Sequence, residues 1–542
     1  MWLGAGELII RPAARQQNRN VRFWSRLWRP ARFAVLLSGA VPVLAFPSAN
    51  LELLAWAGLV PGLALMRNAA TRREAAIRGW WFGAGYLLAA MYWLAPNLGP
   101  GLLLVAIVIG ALWSIVGIAV WSLLRPPVRA PAAIAALVVV PSTWLVTEWV
   151  RSWQAIGGPW AVLGTSQWQH PAVLALAAVG GVWLVSFALV AANTGLLLAL
   201  VAGSVALRLA GLAVASLAIA AGPIAFALTS PMPAARPLAV ALVQPGIVSA
   251  PATRVARNEQ LTTAQAGRAG LFVWGESSVG YDLAAHPALM SGLERLSRTV
   301  GAEILVGQDA VNPAGAKSKQ ATLIGPRGVA GSYVKTRLVP FGEYIPFRSA
   351  LGWLTKISRA APQNVVPGTG ARVMPVTMPG GHPLTIGALI CFESAFPDMS
   401  RVDADQGAQL IVYQTSDTTF QDSWAPAQHA ALSAVRAAET GRPVVQAALT
   451  GDSVAFDGRG RELARVGTGF RGDVIVPLEL PPAADRTVYD RLGDYVPWTA
   501  VGIAALAALA GLGGLWSARR RQRVASVEDE PGILPDTQRS PS

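Results

Sequence analysis

The chain has 542 residues, 53% of them hydrophobic and 14% charged, with a mean hydropathy of +0.43. That balance is too apolar for an ordinary soluble protein. The net charge of +14 would suit a nucleic-acid binder, but the arginines cluster beside apolar runs, which points to membrane topology and against nucleic acid.

A transmembrane helix needs about 20 mostly apolar residues. Such runs lie at 32–48, 50–67, 79–96, 101–124, 131–150, 171–201, 208–229 and 497–516. The expectation is a basic N-terminus (1–31), seven spans within 32–229, a soluble domain over 230–496, an eighth span at 497–516, and a tail at 517–542. Arg11, Arg15, Arg19, Arg22, Arg26, Arg29 and Arg32 precede or open the first run. Arg67, Arg72, Arg73 and Arg78 separate the second and third, Arg125 and Arg129 the fourth and fifth, and Arg519, Arg520, Arg521 and Arg523 follow the last. The alternate connections near 48–50 and 96–100 carry none, and 151–170 carries only Arg151. By the positive-inside rule both termini are expected in the cytoplasm and the 230–496 domain outside it, in a multi-pass protein of the cell membrane. The basic start imitates a signal peptide, but the second apolar run follows at once, which indicates an uncleaved helix. Residues 524–542 read as a disordered tail carrying Glu528, Asp529 and Glu530.

The soluble domain opens with a β-rich run, 237–244, ended by Pro245-Gly246. A polar, helix-compatible stretch follows at 254–267. Strand candidates then lie at 271–275, 303–308, 320–325, 330–335, 384–391, 409–413, 443–448 and 453–457. Helix candidates lie at 287–300 and at 425–440, where Gly441 is a stop signal. This alternation predicts an α/β layered sandwich. Residues 341–370, with Leu351, Trp353, Leu354 and Ile357, form either a lid at the lipid interface or ordinary packing on the domain core.

Three apolar runs end in reactive groups: Trp274-Gly275-Glu276-Ser277, Tyr333-Val334-Lys335-Thr336-Arg337 and Leu389-Ile390-Cys391-Phe392-Glu393-Ser394. Cys391 is the only cysteine, so no intrachain disulfide exists. An unpaired thiol outside the cytoplasm is an oxidation liability, which favours a chemical role. Taken singly, a glutamate or lysine is usually a solvated surface group and a lone cysteine a small core hydrophobe. Together at strand ends they make a nucleophile with a base and a cation, a thiol acyl-transfer site. Glu276 can accept the thiol proton and Lys335 can hold the tetrahedral oxyanion.

The competing chemistries are weaker. The histidines are His170, His286, His382 and His429, and no G-x-S-x-G elbow accompanies them; Gly451-Asp452-Ser453-Val454-Ala455 lacks the final glycine. His429, within a helix, reads as a structural or supporting group. No two histidines share a ligand spacing, so neither a metal nor another cofactor is expected. Asp403 and Asp405 read as a solvated turn.

Trp274-x-Glu276, Lys335 followed by Leu338-Val339-Pro340-Phe341-Gly342-Glu343-Tyr344-Ile345-Pro346, and Cys391-Phe392-Glu393 resemble the nitrilase superfamily. More narrowly, the chain resembles the bacterial apolipoprotein N-acyltransferases over roughly 32–516. Gly158-Pro159-Trp160 with Gly164 and Gln167, Ser186 and Asn193, Gln428-His429, Arg436-Ala437-x-Glu439-x-Gly441-Arg442-Pro443, and Thr450-Gly451 carry that likeness. The resemblance implies a membrane helix bundle carrying a nitrilase-like αββα sandwich. It also implies Glu276 as base, Lys335 as oxyanion stabiliser and Cys391 as nucleophile. Glu343 would support Lys335, and Glu393 would be a nearby structural or substrate-positioning group. Phe392 stands where the family often has tyrosine, Leu449 replaces a frequent asparagine, and 415–420 departs from a pattern usually holding Asn and Trp. These departures resemble an actinobacterial branch.

The implied reaction moves an acyl chain from a phospholipid to the α-amine of a diacylglyceryl-cysteine lipoprotein through a thioester. Trp160, Tyr344 and Trp353 are candidates for lining substrate access, with an interfacial aromatic belt as the plainer role for the first. Two other readings stand beside it. One is a membrane-tethered amidase or nitrilase using water, which needs no seven-span bundle. The other is a scaffold for a lipid-processing partner such as a polyprenyl-phosphate mannosyl synthase, a domain fused to some family members, which the tail could contact.

Overall fold

The computed structural model describes residues 30–528 apart from 313, 357–360, 362 and 378–382. The arginines of 11–29, Ile357, His382 and the tail from 529 onward lie outside the described residues. Among the described residues, five helices are long and apolar enough to cross a membrane: Gly101–Leu124, Ala130–Arg151, Pro171–Val201, Val205–Leu228 and Tyr495–Gly513. Shorter apolar helices fill Pro30–Ala45 and Leu54–Arg67. The helix Arg72–Ala90 is equally long but carries charge in its first turns, where Thr71 accepts the Glu74 N–H. At that end of the bundle Arg32 and Arg78 bind Glu74, and Arg67 donates to the Leu124 carbonyl.

Small residues let these helices approach closely. Gly195 and Gly211 face one another so tightly that a Cβ on Gly195 would lie 2.4 Å from the Gly211 carbonyl oxygen. Helix Pro171–Val201 is broken at Gly180 and Gly181, and Gly181 has φ +68 with Tyr489 packed against it. The last helix continues to Glu528, so the tail expected to be disordered from 524 is helical as far as 528. Polar composition there does not oppose helix, since Arg, Gln, Val, Ala and Glu all extend one at little cost.

The α/β domain contains β1 (Arg236–Gln244), β2 (Leu271–Trp274), β3 (Glu303–Val311), β4 (Lys317–Gly325), β5 (Gly328–Val334), β6 (Val373–Thr377), β7 (Pro383–Ile390), β8 (Leu410–Thr415), β9 (Val444–Ala448), β10 (Ser453–Phe456), β11 (Glu462–Val466) and β12 (Gly472–Leu480). They form two six-stranded sheets, ordered β12-β1-β2-β3-β4-β5 and β11-β10-β9-β8-β7-β6. β1–β2–β3 and β7–β8–β9 run parallel, and the flanking strands are antiparallel.

Side-chain alternation explains the layering. Leu238, Val240, Leu242, Leu271, Val273 and Leu305 join the core shared with Ile386, Ala388 and Ile411 of the second sheet. The intervening Ala241, Val243, Phe272, Trp274, Ile304 and Val306 face the helices Pro251–Ala264 and Pro287–Val300. Strands buried on both faces are near-continuously apolar, which is why their runs stand out in the sequence. Helices Pro397–Asp405 and Ala425–Thr440 cover the second sheet, giving an αββα sandwich.

The second sheet's helix layer also meets the bundle. Glu439, paired with Arg436 at 3.1 Å, accepts the Val182 N–H at 2.7 Å, and Asp494 accepts from the indoles of Trp149 and Trp183. The α/β domain is therefore bound to the bundle by buried polar contacts, at the end opposite the arginines of 67–78.

Asp403 corrects the sequence reading. It lies in helix Pro397–Asp405 rather than a solvated turn and is fully buried against Gly387. Burial, with Glu393 nearby, pushes its carboxyl well above the usual range. Asp405, at the end of the same helix, is exposed and pairs with Arg401 and Arg486.

Candidate active site

Glu276 follows β2, Lys335 follows β5 and Cys391 follows β7, so strand ends from both sheets converge on one place. The lysine Nζ donates to Glu343 Oε1 at 2.7 Å and to Glu276 Oε1 at 3.2 Å. Lys335 is 1% exposed and Glu276 7%. Burial alone would weaken the ammonium, but Glu276, Glu343 and Cys391 together hold its pKa well above the usual lysine value. The site thus keeps a fixed positive charge. The other oxygen of Glu343 accepts the Val339 N–H at 2.8 Å, which ties the lysine to the start of the 341–370 segment.

Burial pushes the Cys391 thiol well up, Glu276 adds to this, and Lys335 opposes it. A raised thiol pKa favours the neutral form, so its proton must leave as a new bond forms, which demands a base at hand. Cys391 has φ +53, a conformation rarely adopted by residues with a side chain and costing about 1–3 kcal/mol. Glu393 helps to hold it. One of its oxygens accepts the Ile390 N–H at 2.7 Å. The other accepts the Tyr333 hydroxyl at 2.6 Å and the N–H groups of Thr336 and Arg337 at 2.7 and 2.9 Å. Fully buried, Glu393 sews the end of β5, with its lysine, to the end of β7, with its thiol. Its carboxyl is pushed up by burial, with these donors in opposition.

A cavity of about 310 Å³ leads from the thiol into the bundle. Leu87, Met91, Leu98, Leu104, Val108 and Ile109 line its membrane side, and Cys391, Phe392 and Trp160 its inner end. Leu104 and Val108 are 57% and 61% exposed on the outer face of their helix, so the cavity reaches the flank of the bundle. Trp160 stacks on Phe392 at 6.5 Å, and its indole donates to Gln428 at 2.8 Å, an acceptor shared with Trp93. Its loop is clamped by Arg151, which donates to the Trp160 and Ala161 carbonyls. Gly158, at φ +84, lies so close that a Cβ would meet Phe392 Cζ at 2.6 Å.

Of the residues expected to line substrate access, Trp160 falls on this cavity. Tyr344 instead lines the adjoining open groove beside Gln154 and Asn364, and Trp353 is 53% exposed and borders neither. The 341–370 segment divides its roles. Ile345 is buried in the domain, whereas Phe341, Pro346, Phe347 and Leu351 edge the cavity. Tyr333, Asp417 and Gln428 went unassigned from sequence. Tyr333 lies two residues before Lys335 and Gln428 directly before His429, whereas nothing local marks Asp417 beyond its place after β8.

The Carbon-nitrogen hydrolase family matches residues 239–481, the double-sheet sandwich that carries the strand-end carboxylate, lysine and thiol. The Apolipoprotein N-acyltransferase N-terminal domain matches 38–195. The apolipoprotein N-acyltransferase of Geobacter metallireducens is 31% identical over 88% of this chain and 94% of its own. That of Chlorobaculum tepidum is 28% identical over 90% and 97%. Among solved structures, Saccharomyces cerevisiae Nit3, a member of branch 10 of the nitrilase superfamily, matches 45% of this chain and 91% of its own at 15% identity, with a TM-score of 0.35. The chain belongs to the apolipoprotein N-acyltransferase family and is a membrane acyltransferase.

Proposed function

We propose that the chain transfers a fatty acyl group from a membrane phospholipid to the α-amine of a diacylglyceryl-cysteine apolipoprotein. The observation that carries this reading is the apolar cavity running from the flank of the helix bundle to the Cys391 thiol. A water-using amidase has no need of such a passage, and a scaffold has no need of a buried ammonium held between two carboxylates beside a thiol.

In the first half-reaction Glu276 takes the thiol proton as Cys391 sulfur attacks the phospholipid ester carbonyl. Lys335 holds the oxyanion, the ester C–O bond breaks, and the lysophospholipid leaves as an alcohol with the proton returned by Glu276. In the second the lipoprotein amine attacks the thioester, loses a proton to Glu276, and the C–S bond breaks to regenerate the thiol. Glu343 keeps Lys335 in place, and Glu393 holds the two strand ends in register. The apolar cavity keeps water from the thioester, so the amine is the productive acceptor.

The same reading puts eight crossings in the chain, with both termini cytoplasmic and the catalytic domain outside. It is supported by the arginines gathered at the bundle end away from that domain. A polyprenyl-phosphate mannosyl synthase is the candidate cytoplasmic partner for 517–542, tested by co-purification with and without the tail. The function is tested by mass spectrometry of a client lipoprotein's N-terminus in cells with the chain, without it, and with Cys391→Ala. An added acyl mass in the first case alone is expected; the same N-terminus in all three would refute the proposal.

A further inference from the structure

His429 is 1% exposed and lies directly behind the nucleophile. Its Nδ1 is 3.0 Å from Asp417 Oδ1, and its Nε2 is 3.1 Å from the Cys391 carbonyl oxygen. A carboxylate and a carbonyl only accept hydrogen bonds, so an imidazole between them satisfies both by carrying a proton on each nitrogen. The surroundings suit that charge. Asp417 comes from the loop after β8 and Glu276 from the end of β2, while the Trp160 ring closes the remaining side at 5.5 Å. Burial alone would lower the imidazole pKa, but Asp417, the Cys391 carbonyl and Glu276 raise it above the usual histidine value. Asp417 is itself 4% exposed, anchored through its N–H to the Thr450 carbonyl at 2.8 Å.

We propose that His429, protonated on both ring nitrogens and held by Asp417, is a positioning residue that fixes the peptide following Cys391. Glu393 secures the peptide before the nucleophile through the Ile390 N–H, and His429 secures the one after it through the Cys391 carbonyl. Between them the strained φ of +53 is over-determined, which is what such a conformation requires to persist. A trans peptide directs its N–H opposite to its C=O, so anchoring this carbonyl also aims the Phe392 N–H. That N–H lies in the first turn of the short helix Cys391–Ala395, where no intrahelical partner exists. The imidazolium also places a second buried cation beside the site where thiolate and oxyanion charge develops.

The inference rests on Cys391 being the nucleophile, and its test separates the two. Imidazole ¹⁵N spectra of histidine-labelled enzyme, assigned by comparison with His429→Gln, are expected to show His429 protonated on both nitrogens at a pH just above the usual histidine value of about 6.5. A neutral tautomer there overturns the proposal, whatever Cys391→Ala does to activity. In single-turnover thioester formation, His429→Leu should slow acylation on the order of 100-fold with the half-saturating phospholipid concentration unchanged, the scale of a misplaced reacting group. His429→Gln keeps a donor near the Nε2 position and should recover at least tenfold of that loss. In Asp417→Asn the main raising influence is lost while burial still lowers the imidazole pKa, so the imidazolium contribution should fall away at lower pH than in the parent enzyme. A folded leucine variant acylating at the parent rate, or equal losses in the leucine and glutamine variants, overturns the assignment. If the leucine variant does not fold, the glutamine and asparagine variants and the parent spectrum decide.

Discussion

Replacing Lys335 by methionine separates two quantities that this site couples. The ammonium is 1% exposed and bonded to Glu343 at 2.7 Å and Glu276 at 3.2 Å. Its removal leaves buried Glu276 and half-buried Glu343 without their cation, and breaking a buried pair from one side typically costs about 3–5 kcal/mol. The loss of one oxyanion donor should slow thioester formation by about 10²–10³, or about 2.7–4 kcal/mol of barrier. The second substitution Glu343→Gln removes one of the stranded charges. The double variant should therefore recover a large part of the stability while remaining as slow as Lys335→Met alone. The lysine pKa is raised in the folded state, so its contribution is present below the unfolded value of about 10.4 and lost only as pH rises through the folded value. The stability difference should stay level from about pH 6 to 9. Thermal unfolding in detergent gives the first quantity, and the rate of acyl attachment from labelled phospholipid gives the second. A methionine variant acylating within tenfold of the parent rate would refute the oxyanion role. A double variant no more stable than the single one would refute the buried-charge account.

Other outcomes follow from particular contacts. Gly158→Ala, at φ +84 with a Cβ 2.6 Å from Phe392, should destabilise the protein by about 1–3 kcal/mol, read as a lower melting temperature, and slow acylation by disturbing the Trp160–Phe392 stack. Because the thiol pKa is raised by burial and by Glu276, alkylation of Cys391 by a small iodoacetamide should be slow at neutral pH and rise steeply toward alkaline pH. Alkylation as fast as a free cysteine at neutral pH would contradict a neutral resting thiol. Reporter fusions after Ser230 and after Arg523 should report opposite sides of the membrane; the same signal from both would sink the eight-crossing topology.

The parts of this architecture legible in the sequence are those whose pattern is local. β2 and the end of β7 are short apolar runs closed by Glu276 and Cys391, because central strands buried on both faces must be apolar throughout, whereas β5 is a sheet edge and is marked by Lys335 and the motif that follows it. The helix ending before Gly441 was equally plain, since Gly441 adopts φ +65. β6, β11 and β12 lack a clear strand signature in the sequence for a shared reason. β6 and β11 are sheet edges carrying Pro375 or Glu462 and Arg465, and β12 is half exposed, contains Pro477 and pairs with β1 from the far end of the domain. Edge strands lose the apolar signature that marks central ones. Asp403 resembles a solvated turn in the sequence because Val402-Asp403-Ala404-Asp405 is polar locally, while burial against Gly387 is decided by the packing of a helix on a sheet. Glu393 shows the same limit from the other side. Its motif gave its importance, but only the fold shows one carboxylate accepting four hydrogen bonds that join two strands.

The most direct test of the central claim is intact-mass analysis of the purified enzyme incubated with phospholipid and no acceptor. The account predicts one added acyl mass located on Cys391, released by neutral hydroxylamine as a thioester is. It should be discharged by a diacylated peptide with a free N-terminal amine but not by its N-acetylated form. Enzyme that goes on to acylate the peptide without ever carrying the acyl group, or that carries it at a residue other than Cys391, would contradict it.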